Sequence, residues 1–192
     1  METTTIQKLL AGNTFFVPAD LRAYTWEVPS KTGNRSVNTR VDIFLSDFNQ
    51  FIETKSDKPY FFGNFTFKFK EVNVYDVTDG QQRMTTIVIS LSAAFERLKK
   101  LRELTDEEIK MSEDMIKRKQ GYPLSTVDYD DPLFKSYVIN HSNQVEATTT
   151  SGKRIVEAYD YFADAFADKD EAYLLKLIKT VAQATCLHDI SL

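Results

Sequence analysis

The sequence feature that most constrains the fold is a change of hydrophobic period at Asp79-Gly80. On the N-terminal side, phenylalanines alternate with polar residues over 60–69, and this period of two predicts a strand with one buried face. A second β-rich run over 73–78 completes a predicted hairpin. On the C-terminal side, apolar residues recur every three to four positions over 81–104, which predicts a helix.

Helical spacing also recurs outside this corner. The first half carries predicted helices at 5–11 and 38–54. The remaining predictions are a helix from Asp106 capped by Thr105 with Glu108, a short helix with Pro132 in its first turn, a helix capped by Ser151, a helix containing Leu174 to Val181, and a strand within 184–192. The pattern predicts an α+β fold, with a core over 1–104 and a helical extension of the same domain over 105–192.

The composition fits a folded chain without a strong charge bias. Of the 192 residues, 42% are hydrophobic and 12% aromatic, which is enough for a sizeable core. The formal net charge is −4, so the protein as a whole lacks the positive electrostatic field that favours binding of nucleic acid. Cys186 is the single cysteine, and no apolar run reaches membrane-spanning length. We therefore expect a cytoplasmic protein without an internal disulfide or a membrane partner.

The corner at Gly80 has the chemistry of an anion site. The first amides of the predicted helix lack intrahelical partners and the helix dipole adds partial positive charge, so the corner favours phosphate. Arg83 can hold phosphate oxygens with two parallel hydrogen bonds, and Asp79 can hold a metal ion or a sugar hydroxyl. Thr85 or Thr86 can add a hydroxyl group. The alternative is a plain turn at Asp79-Gly80, with Arg83 on a solvated helix face.

A second unusual stretch, RAYTW, alternates a guanidinium with two aromatic rings. In an extended chain Arg22, Tyr24 and Trp26 point the same way. A guanidinium beside aromatic rings can stack on a base and hold a phosphate or a carboxylate. The alternative is that both rings pack into the core while Arg22 pairs with an acidic residue.

Three motifs occur in a fixed order along the first half: VPADLRAYTW at 17–26, YFFGN at 60–64 and DGQQRMTT at 79–86. Together they resemble the N-terminal domain of the GmrSD family of modification-dependent (type IV) restriction proteins and related phage-defence proteins. The family pattern is close to I-P-x-Y-Q-R-x-Y-x-W, a Y-F-x-G strand and D-G-Q-Q-R-x-T-T. The order and rough separations of the motifs agree across residues 5–100.

The resemblance implies a ParB/sulfiredoxin-like core that binds an NTP and regulates a DNA restriction or phage-defence system, with NTP hydrolysis as an open extension. The alternative is a non-catalytic module that senses modified DNA or binds a partner. The implied nucleotide-binding residues are Arg22, Tyr24, Trp26, Gly63, Asn64, Asp79, Gly80, Gln81, Gln82, Arg83, Thr85 and Thr86. Among these, Asp79, Gln82 and Arg83 are the implied catalytic residues. Asp79 is also the implied ligand of a Mg²⁺ ion that accompanies the NTP.

The chain departs from the family pattern in two ways. Asp20-Leu21 replace the family's Tyr-Gln, which removes a ring and an amide and places a carboxylate near the predicted phosphates. Family members continue past a strand like LHDISL into an F-E-x-x-N-x-x-G segment and often an HNH-type nuclease domain. We therefore expect this chain to stop before that architecture and to work with a nuclease domain or subunit. His141 and His188 lie outside any ligand cluster in the sequence, so we expect no nuclease activity from the chain itself.

Overall fold

The computed structural model describes residues 1–30 and 39–192. The helices are α1 (Ile6–Leu10), α2 (Arg40–Thr54), α3 (Gln81–Leu101), α4 (Asp106–Met115), the short α5 (Asp131–Leu133) with a π-helical turn at Phe134–Ile139, α6 (Thr150–Phe166) and α7 (Glu171–Gln183). The strands are β1 (Glu2–Thr5), β2 (Thr14–Phe16), β3 (Phe61–Glu71), β4 (Val74–Asp79), β5 (Leu124–Ser125) and β6 (Thr185–Ser191). None of the helices in the described residues is long and apolar enough to span a membrane.

In the described part of the chain, six strands form one mixed sheet in the order β1-β6-β3-β4-β2-β5. The β3–β4 hairpin is antiparallel, and so is the pairing of β1 with β6. Strand β2 pairs in parallel with both β4 and β5, and Phe16 lies opposite Asp76 and Ser125 in that register. Because β2, β4 and β5 run in parallel, the residues that follow them meet at one edge of the sheet.

The α+β prediction is confirmed, and so are the central elements. The predicted strands of 60–69 and 73–78 are the antiparallel pair β3 and β4. Helix α3 begins at Gln81, as the change of period predicts. Thr105 and Glu108 form the predicted capping box at the start of α4. The ParB/sulfiredoxin-like assignment stays a prediction.

Some element ends differ from the sequence-based boundaries. Helix α3 ends at Leu101 rather than at residue 104, because Arg102 adopts an extended backbone. The cap of α6 is Thr149 rather than Ser151, since the Thr149 hydroxyl accepts the Gly152 N–H at 2.8 Å. Residue 38 of the predicted 38–54 helix lies outside the described residues.

Helix α3 is the most deeply buried helix, and every residue from Met84 to Phe95 is buried. Helices α6 and α7 pack against it. Its two buried serines are satisfied by carbonyls, since Ser90 donates to Ile87 and Ser92 donates to Val138, both main-chain oxygens. Because α3 is held by the core along its length, its first turn has a fixed position at the edge of the sheet.

Candidate functional site

The first turn of α3 begins without a side-chain cap from any described residue. Gly80 precedes it with φ of 92°, and in the described part of the chain no side chain bonds to the amides that follow. The first intrahelical bond runs from the Met84 N–H to the Gly80 carbonyl at 2.9 Å. A Cβ at residue 80 would overlap the Phe65 ring, so glycine is required here by both space and backbone conformation. The helix start therefore keeps unpaired donors and a partial positive charge.

Gln82 links the segment that contains Arg22 to the start of α3 by hydrogen bonds. Its side-chain amide donates to the Ala23 carbonyl at 2.8 Å and to the Arg22 carbonyl at 3.3 Å. Its side-chain oxygen accepts the Thr25 N–H at 2.8 Å. All of these bonds go to backbone groups, so the Gln82 side chain positions the loop that carries the Arg22 guanidinium.

Arg83 is turned toward β3. Its two terminal nitrogens each donate to a carbonyl at 2.6 Å, one of Phe62 and one of Asn64. The guanidinium also lies over the Phe65 ring, 5.0 Å from the ring centroid. Between the two carbonyls, Gly63 has φ of 86°, and a Cβ there would overlap the guanidinium. Arg83 thus binds the irregular segment of β3 where its register with β6 shifts.

A cleft of about 230 Å³, counting space open to solvent, adjoins the α3 start. Five of the predicted site residues line it, namely Arg22, Tyr24, Gln81, Gln82 and Thr85. Arg22 is exposed, and among the described residues its guanidinium has no hydrogen bond or ion pair. Trp26, Gly63, Asn64, Asp79, Gly80, Arg83 and Thr86 do not line this cleft. The structure therefore brings five of the predicted residues to one cleft, and the other seven lie outside it.

The opposite wall of the cleft comes from the segment after β5. It contributes Thr126 and Asp130, and α6 contributes Ile155. The Thr126 hydroxyl is buried and has no hydrogen-bond partner among residues 1–30 and 39–192. The buried Asp130 carboxylate accepts from the hydroxyls of Thr149 and Ser151 at the start of α6.

This wall was missed by the sequence analysis, which assigned no role to the segment LSTVDYDD. Strand β5 has only two residues, and its parallel pairing with β2 connects positions more than 100 residues apart. A cluster of hydroxyl and carboxylate side chains directly after an apolar residue was the available signal.

Tyr24 and Thr86 form a buried pair. The Tyr24 hydroxyl lies 2.8 Å from the Thr86 hydroxyl, and Thr86 also donates to the Gln82 carbonyl at 2.8 Å. Burial raises the pKa of Tyr24 above its ordinary value, so the phenol stays protonated. Trp26 is half-buried and packs edge-on against Phe44, with ring centroids 6.3 Å apart. Both rings therefore pack against core residues, whereas no acidic partner for Arg22 is seen among the described residues.

Asp79 is exposed at the end of β4. The described residues contain no group of three or more His, Cys, Asp or Glu side chains placed to hold a metal ion. A Mg²⁺ ion bound together with nucleotide phosphates needs only one or two protein carboxylates. The single carboxylate of Asp79 fits that kind of ion and does not fit a metal held by protein alone.

The fold and the cleft define the class of the protein. Val17, Gln81 and Thr126 follow β2, β4 and β5, and all three line the cleft. Ligands of open α/β sheets bind at this place, outside the carboxyl ends of parallel strands. The chain is thus an α+β domain with a candidate anion-binding cleft.

The family follows from a comparison of sequences. A family model described as GmrSD restriction endonuclease, N-terminal domain, matches residues 6–189. The chain therefore belongs to this family of restriction-system domains. No curated protein matches the chain.

Proposed function

We propose that the chain is a nucleotide-binding regulatory domain of a modification-dependent restriction system, and that it binds the phosphates of an NTP at the start of α3. One observation carries the proposal: the 21-residue helix α3 begins at a cleft beside Arg22, and among the described residues neither its first amides nor the Arg22 guanidinium has a side-chain partner. Helix N-termini and guanidinium groups are both well suited to bind phosphate. Gln82 supports this arrangement because it fixes the backbone from Arg22 to Thr25.

Binding is better supported than hydrolysis. Of the three residues predicted to be catalytic, two have side chains that already bond to the backbone. Gln82 bonds to the segment around Arg22, and Arg83 bonds to β3. Asp79 is the one left exposed. When Mg²⁺ accompanies the NTP it would neutralise phosphate charge, and Asp79 is the residue of the predicted set that would hold it.

The alternative of a DNA-sensing module gains no support from the aromatic residues. Tyr24 is only 5% exposed, so its ring is not free to stack on a base. The acidic net charge of −4 also opposes strong binding of DNA by this chain alone. We therefore propose that contact with modified DNA belongs to other parts of the restriction system.

The test is a thermal melting screen with ATP, GTP, CTP and UTP, each with and without Mg²⁺. A ligand that binds only the folded state raises the melting temperature, and the stabilisation grows with the logarithm of its concentration divided by its Kd. Replacement of Arg22 by Ala removes a charge-assisted contact worth about 1.5–3 kcal/mol, so the affinity should fall by about ten- to a hundred-fold. Isothermal titration of the preferred NTP measures this loss.

Arg40→Ala is the matched control, because Arg40 is also exposed at the start of a helix and lies outside the cleft. It removes the same charge and should leave NTP affinity unchanged. If both variants lose the same NTP affinity, the loss comes from the change in net charge and not from a contact made by Arg22. A wild-type chain that no NTP stabilises would refute the proposal.

A further inference from the structure

A second and larger cleft adjoins the first. Its volume is about 780 Å³, counting space open to solvent, and it also lies beyond β2 and β5. The two clefts share Val17 and Thr126 as lining residues. When open solvent is left out, the second cleft holds about 380 Å³, which is within the roughly 300–1,000 Å³ of sites that enclose small molecules. The first cleft then holds only about 10 Å³, so phosphates can contact the α3 start only at its mouth.

The larger cleft has a different chemistry from the first. Its two lysines are already paired, Lys70 with Asp76 at 3.1 Å and Lys135 with Asp131. Phe16, Val17 and the proline rings of Pro18 and Pro132 supply apolar surface. Paired charges and apolar walls suit a ring system with a sugar better than they suit free phosphate.

The residue at the junction has an unmet bonding requirement. Thr126 is 6% exposed, and no group in the described part of the chain forms a hydrogen bond with its hydroxyl. Its own N–H donates to the Asp131 carboxylate at 2.9 Å, which fixes the backbone at this point. A buried polar group without a partner is costly, and a ligand that passes over it would remove that cost.

We propose that the NTP lies across both clefts, with its phosphates at the α3 start, its nucleoside in the larger cleft, and the Thr126 hydroxyl bonded to it between the two. This inference rests on the proposed function and adds the location of the nucleoside. It makes the segment after β5, rather than the DGQQR corner, the part of the site that distinguishes one base from another.

Blocking the larger cleft tests the location of the nucleoside. Ala19 is exposed and lines only the larger cleft, so Ala19→Trp fills that space without disturbing the core. We expect titration to show at least about a tenfold loss of affinity for the preferred NTP, since the nucleoside contacts are lost. Affinity for inorganic tripolyphosphate, which has no nucleoside, should stay unchanged. Ala172→Trp, at an exposed site on α7, is the control and should change neither affinity.

Thr126→Val tests the junction. We expect about a three- to tenfold loss of NTP affinity, the range of one neutral hydrogen bond. The melting temperature of the unliganded variant should stay the same or rise, because an unpaired buried hydroxyl has been removed. Thr39→Val removes another buried and unpartnered hydroxyl outside both clefts, and it should leave the affinity unchanged.

The outcomes separate this inference from the proposed function. If Arg22→Ala weakens NTP binding while Ala19→Trp or Thr126→Val does not, the two-cleft placement is overturned and the phosphate site stands. If Ala19→Trp weakens tripolyphosphate as much as NTP, the nucleoside assignment is overturned as well. If the wild-type chain binds neither ligand, both proposals fail.

Discussion

At the scale of single residues, the corner uses its polar side chains to hold the fold together. The side chains of Gln82 and Arg83 both bond to backbone that is distant in sequence. Gln82 bonds to the segment around Arg22, and Arg83 bonds to the irregular part of β3. A guanidinium next to a helix start suggests phosphate binding when only the sequence is known. The carbonyls that bind Arg83 lie about 20 residues earlier, in a backbone distortion that no side-chain pattern reveals.

Arg83→Ala should therefore destabilise the fold rather than only weaken ligand binding. The change leaves the carbonyls of Phe62 and Asn64 without their charged donor, so we expect the free energy of unfolding to fall by about 1.5–3 kcal/mol. Arg83→Lys should recover only part of the loss, because an ammonium group cannot reproduce the two-pronged geometry. Urea denaturation without ligand measures both variants.

Arg40→Ala serves here as the control for removal of one exposed positive charge, and its unfolding free energy should match the wild type. The sequence-based interpretation of Arg83 as the main phosphate ligand would gain support from the opposite result. In that case Arg83→Ala would melt like the wild type and lose NTP affinity.

At the scale of elements, the long periodic segments were predictable and the short strands were not. Helix α3 and the β3–β4 hairpin each carry a repeating pattern that is set by local burial. Strands β2 and β5 have three and two residues, too few to show a period, and they exist because they pair with distant partners. The wall of the cleft after β5 was missed for the same reason.

The start of α4 predicts a defined pH dependence. Glu108 accepts two bonds from Arg102, at 2.7 and 2.8 Å, and it accepts the Thr105 N–H at 2.8 Å. The Arg102 guanidinium lowers the pKa of Glu108 from 4.5 to about 2. Because the pKa is lower in the folded state, this stabilisation is complete above about pH 4.5 and disappears as the pH falls toward 2.

Glu108→Gln should thus reduce the unfolding free energy at pH 7 by about 1.5–3 kcal/mol, as expected for bonds to a charged group. The difference from the wild type should shrink between pH 4.5 and 2. Urea denaturation across this range measures it. Glu107→Gln, on the exposed side of the same helix, is the control and should stay near the wild type at every pH. A difference that does not change with pH would contradict the assignment to the Glu108 charge.

At the scale of the whole molecule, the sheet joins the two halves of the chain. Strands β5 and β6 come from the mainly helical second half, and they pair with β2 and β3 of the first half. The cleft likewise takes residues from both halves. Binding of a ligand there therefore depends on the complete fold rather than on the DGQQR motif alone.

We predict that the purified chain does not cut DNA. The two histidines are engaged elsewhere, since His141 lies 2.8 Å from the Tyr159 hydroxyl and 3.4 Å from Glu96, and His188 faces Glu2 at 3.7 Å. Metal-dependent hydrolysis needs a cluster of ligands, and the described residues offer none. Incubation of plasmid DNA with the chain and Mg²⁺ or Mn²⁺ tests this, with an added nuclease as the positive control. Cleavage that persists after repurification would show the prediction to be wrong.

The position of β6 has a consequence for synthesis on the ribosome. This strand lies between β1 and β3, although residues 185–191 are translated long after both of them. Until that segment leaves the exit tunnel, the nascent chain exposes an unpaired edge of β3 beside β1, and open strand edges are sites of misassembly. Strands β2 to β5 can pair before that segment emerges, whereas β1 can join the sheet only when residues 185–191 are available.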